Sequence, residues 1–265
     1  CIHRQERPCT RHTLHCEDCL YLHEDIARPQ WMPAGALELG DYVVARYAHN
    51  ELDDRTTLEV SEVLGSQVEV IDGQARHVVS QLTRWGQRTK VSTSLGLPNT
   101  IPLNPEVMRW FGYYLAEGDC DPERCRVRFS LHRQELEAGG IGLDLISTLR
   151  QYFNLEPRVQ RGKGQGVSVV VHNVVFACLL DRLFGRHARH KTIAADLLRL
   201  PDDCLFWLLV GILRGDGCVS KSRAPRLIIR LANARLIEQL AFMMDRLGYH
   251  ATIDDGRPVK VEFNG

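Results

Sequence analysis

The sequence predicts an α+β fold: two pseudo-symmetric αββαββα repeats, preceded by a small all-β module. Three observations carry that expectation. Two stretches 99 positions apart are near copies, Phe111-Gly-Tyr-Tyr-Leu-Ala-Glu117-Gly-Asp119 and Val210-Gly-Ile-Leu-Arg-Gly-Asp216-Gly-Cys218. Each is followed by segments of strict apolar/polar alternation, the mark of half-buried strands. Ahead of both, residues 42–47, 57–63, 67–72 and 75–80 read as short strands separated by turn signals.

The duplicated stretch reads as an apolar helix with small residues one turn apart, Gly112 and Ala116 in the first copy, Gly211 and Gly215 in the second. Small residues at i and i+4 share a helix face, so two such helices can pack backbone to backbone. That contact brings Glu117 and Asp216 together at the C-terminal ends. A carboxylate at the negative pole of a helix is disfavoured by about 0.3–1 kcal/mol. Doing this twice points to a cation held across a pseudo-two-fold axis. Asn104-Pro105 supplies the cap and first turn of the first helix.

The strands come next in order. Residues 124–132 alternate Arg124, Arg126, Arg128, Ser130 and His132 against Cys125, Val127, Phe129 and Leu131. In the second half Arg226 and Arg230 stand opposite Leu227, Ile229 and Leu231. Later, Ser168 and His172 lie on the polar side of 167–172, before a helix over 174–185, and Lys260 lies on that of 259–264. Glycine-bearing turns at 161–166, which includes Lys163, and at 254–258 mark hairpins. A lone arginine-bearing strand is usually a solvated face. Four such strands in two matching pairs, with Lys221 beside one, favour a ribbon that reads duplex DNA in the major groove.

These motifs resemble those of the LAGLIDADG (dodecapeptide, DOD-type) homing endonucleases, in particular two-repeat members found inside inteins. The resemblance covers about residues 96–265, and His190-Lys191-Thr-Ile193 resembles the family's lysine-isoleucine-proline element, with Ala194 where proline is usual. It implies a DNA-binding saddle and Mg²⁺-dependent, site-specific hydrolysis of double-stranded DNA by a monomer that is an internal pseudo-dimer. By the same resemblance Glu117 and Asp216 are the metal-binding catalytic acids, and Lys191 orients or polarises the attacking water. Asp119 is a weaker candidate. Strand 259–264 is followed by Gly265, with no counterpart to helix 174–185, so the repeat domain is expected to be C-terminally truncated.

The expected organisation is a partial Hint-like (intein splicing) β module over 1–91, a proline-bearing linker over 92–104 and the two-repeat domain over 105–265. Residues 31–44 resemble the Hint segment in which a strand follows a Gly-Asp turn, and His12 and His15 lie near the place of that family's activating histidine. Cys1 stands only about ten residues before that histidine block, too close for a splicing nucleophile, and the chain does not end in His-Asn. Cys9, Cys16 and Cys19 with nearby histidines fit a zinc site or free thiols about equally.

Composition bounds the rest. The apolar run 204–213 is too short to span a bilayer, and nine scattered cysteines fit a reducing, cytoplasmic setting. Net charge is zero, yet residues 1–104 carry −4 and residues 105–265 carry +4. The positive part holds the motifs, as a nucleic-acid partner requires. Two other functions compete with the nuclease: a catalytically inactive, maturase-like DNA/RNA-binding remnant, and a fragment of a protein-splicing element.

Overall fold

The computed structural model describes residues 2–4, 33–36, 41–43, 54–83, 86–91, 95–162, 164–221, 226–249 and 251–253. The chain divides into two compact units, Cys1–Asn50 and Glu51–Gly265. In the first, β1 (Ile2–Arg4) pairs antiparallel with β2 (Asp41–Val43), and a 3-10 turn covers Ala34–Ala36. Cys9, His12, His15, Cys16 and Cys19 lie outside the described residues. So do Lys163, Lys260 and the strand expected at 259–264.

The second unit opens with β3 (Thr57–Glu59), where the alternating pattern predicted a strand to 63; instead helix α1 (Val60–Leu64) follows. The cause is tertiary. Val60 N–H donates to Asn99 O (2.8 Å) and Ser61 N–H to Asn99 Oδ1 (3.0 Å), so a distant asparagine caps the turn. Strands β4 (Val68–Ile71), β5 (Gln74–Thr83) and β6 (Gly86–Val91) form a meander. The stretch expected to be a linker carries β7 (Leu97–Pro98), paired with β5, and β8 (Thr100–Pro102), paired with β3. Proline sits at the ends of both, where its missing N–H costs no ladder bond.

The motif region then runs α2 (Pro105–Glu117), β9 (Gly118–Asp121), β10 (Arg126–His132), α3 (Ile141–Phe153), β11 (Arg158–Arg161), β12 (Gly166–His172) and α4 (Val174–Phe184). Asn104 caps α2 by accepting from Val107 N–H, as Asn104-Pro105 predicts. Against α4 pack α1 and β5, which ties residues 54–83 to this half. The second half follows with α5 (Asp202–Asp216), β13 (Gly217–Val219), β14 (Leu227–Ile229) and α6 (Ala234–Arg246).

The sheet of the first half has the order β11-β12-β10-β9, all antiparallel. Its inner face (Val127, Phe129, Leu131, Val167, Val169, Val171) is buried under α2, α3 and α4. There Trp110 stacks with Phe129, Phe153 and Phe176 at centroid separations of 5.1–5.3 Å, and Phe111 with Phe184 at 5.1 Å. Each such ring contributes roughly 1.5–3 kcal/mol by burial.

Helices α2 and α5 meet on their small-residue faces. A Cβ on Gly112 would lie 2.7 Å from Gly211 Cα, and one on Gly211 would lie 2.8 Å from Gly112 Cα and collide with Arg109 O. Across the pair, Asp144 of α3 accepts from Arg109 Nε (2.8 Å) and Nη2 (3.0 Å), Tyr113 Oη (2.7 Å) and Arg214 Nη1 (3.2 Å). Three helices are thereby pinned through one carboxylate.

Candidate functional site

Glu117 and Asp216 are the last residues of α2 and α5. Gly215 explains their proximity: a Cβ there would lie 2.5 Å from Ala116 Cβ and 3.5 Å from Glu117 Cγ. Both acids are half-buried. Burial, then the neighbouring Asp216, then Glu135, pushes the Glu117 carboxyl up to about 7, against the pull of Lys191. Asp216 is raised as well, by burial, with Lys191 again opposing. Burial and each other's proximity make the charged form of these carboxyls costly, and Lys191 offsets that cost only in part.

Lys191 is 2% exposed, with its ammonium turned into the end of α2. Nζ donates to Tyr114 O (2.7 Å) and Leu115 O (3.0 Å) and lies 5.0 Å from the Tyr114 ring centroid. These carbonyls lie in the last turn of α2, at the negative end of its dipole, where cations are favoured; Tyr114 O also accepts from the Gly118 N–H. Burial pulls the amine down to about 8, and Asp119, Asp216 and Glu117 resist that fall. Ala194 donates its N–H to Leu183 O (2.9 Å), a bond that a proline there would forgo. Asp119 accepts from the His187 N–H (3.1 Å), and its carboxylate stands 3.5 Å from His187 Nδ1.

On the outer face of the four-stranded sheet, the register places Arg126 beside His172 and Asp121, Arg128 beside Val170 and Asp119, and Ser130 beside Ser168. Arg128 and His172 are exposed. His132 is exposed too, though its ring accepts from Gln134 N–H (3.3 Å) and so caps a 3-10 turn. Arg124 departs from the predicted alternation. Asp121 caps a 3-10 turn over Pro122–Arg124, Cys125 is left-handed (φ 51°), and the strand begins only at Arg126. Two residues missed in the sequence join this face: Arg158 pairs across from Val170 and Gln160 from Ser168. The signal was present in the alternation of 158–161 just before the glycine turn. In the second half Arg226 and Arg230 flank β14 rather than lie in it; both are exposed, as is Lys221.

Residues 203–262 match the family described as LAGLIDADG-like domain, a stretch that begins in α5 and contains the second acidic motif. The match supports the LAGLIDADG family, whose members are generally nucleases or maturase-like proteins. Uncharacterized protein MJ0043 of Methanocaldococcus jannaschii is 27% identical over 145 residues, 53% of this chain and 18% of that protein. The ATP-dependent DNA helicase Hel308 of Thermococcus kodakarensis is 26% identical over 236 residues, 85% of this chain and 20% of the helicase. The chain thus spans about a fifth of the length of either relative. Among the described residues no helix is long and apolar enough to cross a membrane, and no three His, Cys, Asp or Glu side chains cluster closely enough to hold a metal.

Proposed function

We propose that this chain is an intein-associated, two-repeat LAGLIDADG homing endonuclease that hydrolyses double-stranded DNA at a specific site with Mg²⁺. The observation that carries this reading is the pair of half-buried carboxyls, Glu117 and Asp216, held side by side by glycine-faced helices, with both acids raised by burial and Glu117 also by Asp216. Two oxygen ligands suit Mg²⁺, which keeps several waters and takes others of its ligands from substrate phosphates. The donor set therefore fits the ion without a third protein side chain. When bound, the metal supplies charge stabilisation and a water of lowered pKa.

The chain's own residues do the rest. Glu117 and Asp216 are the residues that would hold the ion, one acid serving each DNA strand. Lys191, anchored on the carbonyls of Tyr114 and Leu115, keeps a positive charge beside both acids. Arg126, Arg128, Arg158 and His172 take phosphates or base edges on one half-site, and Lys221, Arg226 and Arg230 on the other. Water adds across the P–O3′ bond, its oxygen to phosphorus and a proton to O3′, leaving 5′-phosphate and 3′-hydroxyl ends. Similarity to a fifth of a much longer helicase supports a segment carried inside a host protein, as an intein is. The nuclease acts as a monomer inside the cell.

The test is cleavage of a randomised duplex library with Mg²⁺ by wild type, Glu117→Gln and Asp216→Asn. Cutting that falls to nicking or disappears in the single variants supports the reading, and cutting that survives metal depletion overturns the mechanism. Selective binding without cutting, unchanged by either substitution, favours a maturase-like binding protein.

A further inference from the structure

Residues 191–194 thread between α4 and α6, and the two helices grip alternate positions. Thr192 N–H donates to Phe184 O (2.8 Å) and Ala194 N–H to Leu183 O (2.9 Å), which satisfies carbonyls left open at the C-terminal end of α4. The intervening residues belong to α6. Asn233, its N-cap, accepts from Leu236 N–H (3.2 Å) and donates Nδ2 to Lys191 O. Gln239 accepts from Ile193 N–H (2.8 Å) and donates Nε2 to Ile193 O (2.8 Å), pairing with that residue as a neighbouring strand would. Further along, Arg246 donates to Leu198 O and Leu200 O, both at 2.6 Å, and is paired with Asp202 at 2.9 Å.

We propose that Asn233 and Gln239 are positioning residues for Lys191: a helix of the second half sets how far a lysine reaches into the helix end that presents Glu117 in the first. Lys191 has a long, flexible stem, so its ammonium is only as well placed as its backbone. That backbone is fixed by a side-chain amide on either side of Thr192. Tyr114 and Leu115, which receive Nζ, precede Glu117 by one turn or less. The acid of the first half and the fold of the second are therefore linked through one buried amine. The catalytic consequence rests on the nuclease reading; the link itself rests on geometry alone.

The direct experiment is acylation with limiting acetic anhydride, read lysine by lysine by mass spectrometry, with exposed Lys221 as internal reference. Gln239→Ala removes both bonds to Ile193 and should raise the Lys191-to-Lys221 labelling ratio about tenfold. Asn233→Asp keeps the cap on Leu236 and loses the donor to Lys191 O, so it should act in the same direction and serves where Gln239→Ala does not fold. A ratio unchanged in the folded variants overturns the proposal. In cleavage, Gln239→Ala should lower turnover about tenfold with DNA affinity kept, and should add nothing once Lys191→Met is present. Additive losses mean a purely structural role and overturn it as well. Wild type that cuts no duplex sinks the nuclease reading instead, and the labelling ratio then decides the positioning alone.

Discussion

In the first half, the strand that leaves the acidic motif runs straight into a buried wall: Cys120, Val127 and Phe129 are at most 1% exposed beneath four strands. In the second half, the equivalent strands β13 and β14 leave Val219 and Leu227 63% and 55% exposed. The residue after the acid and glycine differs in the same sense, since Asp119 is engaged by His187 and Cys218 is exposed. One motif thus sits in two unequal environments. The lesson is that the two acids are aligned by the glycine-faced helix contact that both halves share, whatever the burial of their sheets.

The most severe way to break that alignment is at the glycines. Gly211→Val drives side-chain atoms into the backbone of α2 at Arg109 and Gly112, which cannot yield without moving the helix. It should cost about 3 kcal/mol or more by overpacking, measured by urea unfolding. Gly215→Ala puts its methyl 2.5 Å from the Ala116 Cβ, which is fixed to the backbone of α2, and 3.5 Å from Glu117 Cγ, so the helix ends must part. It should cost about 2 kcal/mol and weaken the proposed cutting by spreading the acids. Equal stability losses at both positions would show that the acids and the helix crossing are not separable.

Next in size is Asp144→Ala. The carboxylate receives Arg109, Tyr113 and Arg214 from both motif helices, so its removal should cost about 2 kcal/mol. Burial works to raise the Asp144 carboxyl, while hydrogen bonds from Arg109 and Tyr113 outweigh it and hold the group below the ordinary range. Its contribution is therefore present above the unfolded carboxyl's pKa and lost as pH falls through the lower folded value. Wild type and Asp144→Ala should converge in stability in acid. A gap that persists into strong acid contradicts this account.

Glu117 has the opposite sign. Its folded carboxyl, near 7, holds a proton that the unfolded group releases near 4.5, so stability falls as pH rises across that window. After discounting for the half that faces solvent, the metal-free protein should melt about 2–4 °C lower at pH 8 than at pH 5.5 through this group. Mg²⁺ at pH 8 should restore the difference, and Glu117→Gln should abolish it. Melting indifferent to both pH and Mg²⁺ would separate the acids from any cation site.

How much of this was legible follows from which forces are local. The two motif helices, the cap at Asn104, the small-residue contact and the polar side of β10 and β12 all rest on periodicity within a dozen residues. The helix at Val60–Leu64 was hidden because its cap, Asn99, lies 38 residues downstream of Ser61. Arg124 was misplaced because Asp121 and Pro122 close a turn that outweighs alternation. Lys191 was found by resemblance to a motif, yet its burial and its two carbonyl partners could not be read without the fold. Gln239 gave no signal, since an amide on a polar helix face looks solvated until a backbone is seen to run past it, and Asn233 reads only as a helix cap.

The smallest expected effects lie on the proposed DNA face and test the comparison of the halves most finely. Arg158, on the outer face of the first sheet, and Arg226, beside the short second sheet, each offer one guanidinium. If both sheets engage the duplex, Arg158→Ala and Arg226→Ala should each lower the slope of log affinity against log salt by about 1, with similar losses across sequences. Arg161→Ala serves as a control, because Arg161 pairs across from buried Val167 on the other side of the sheet, and it should leave the slope nearly unchanged. A loss at Arg158 with none at Arg226 would assign binding to the four-stranded half. The second half would then contribute chiefly its acid and the helix that holds Lys191.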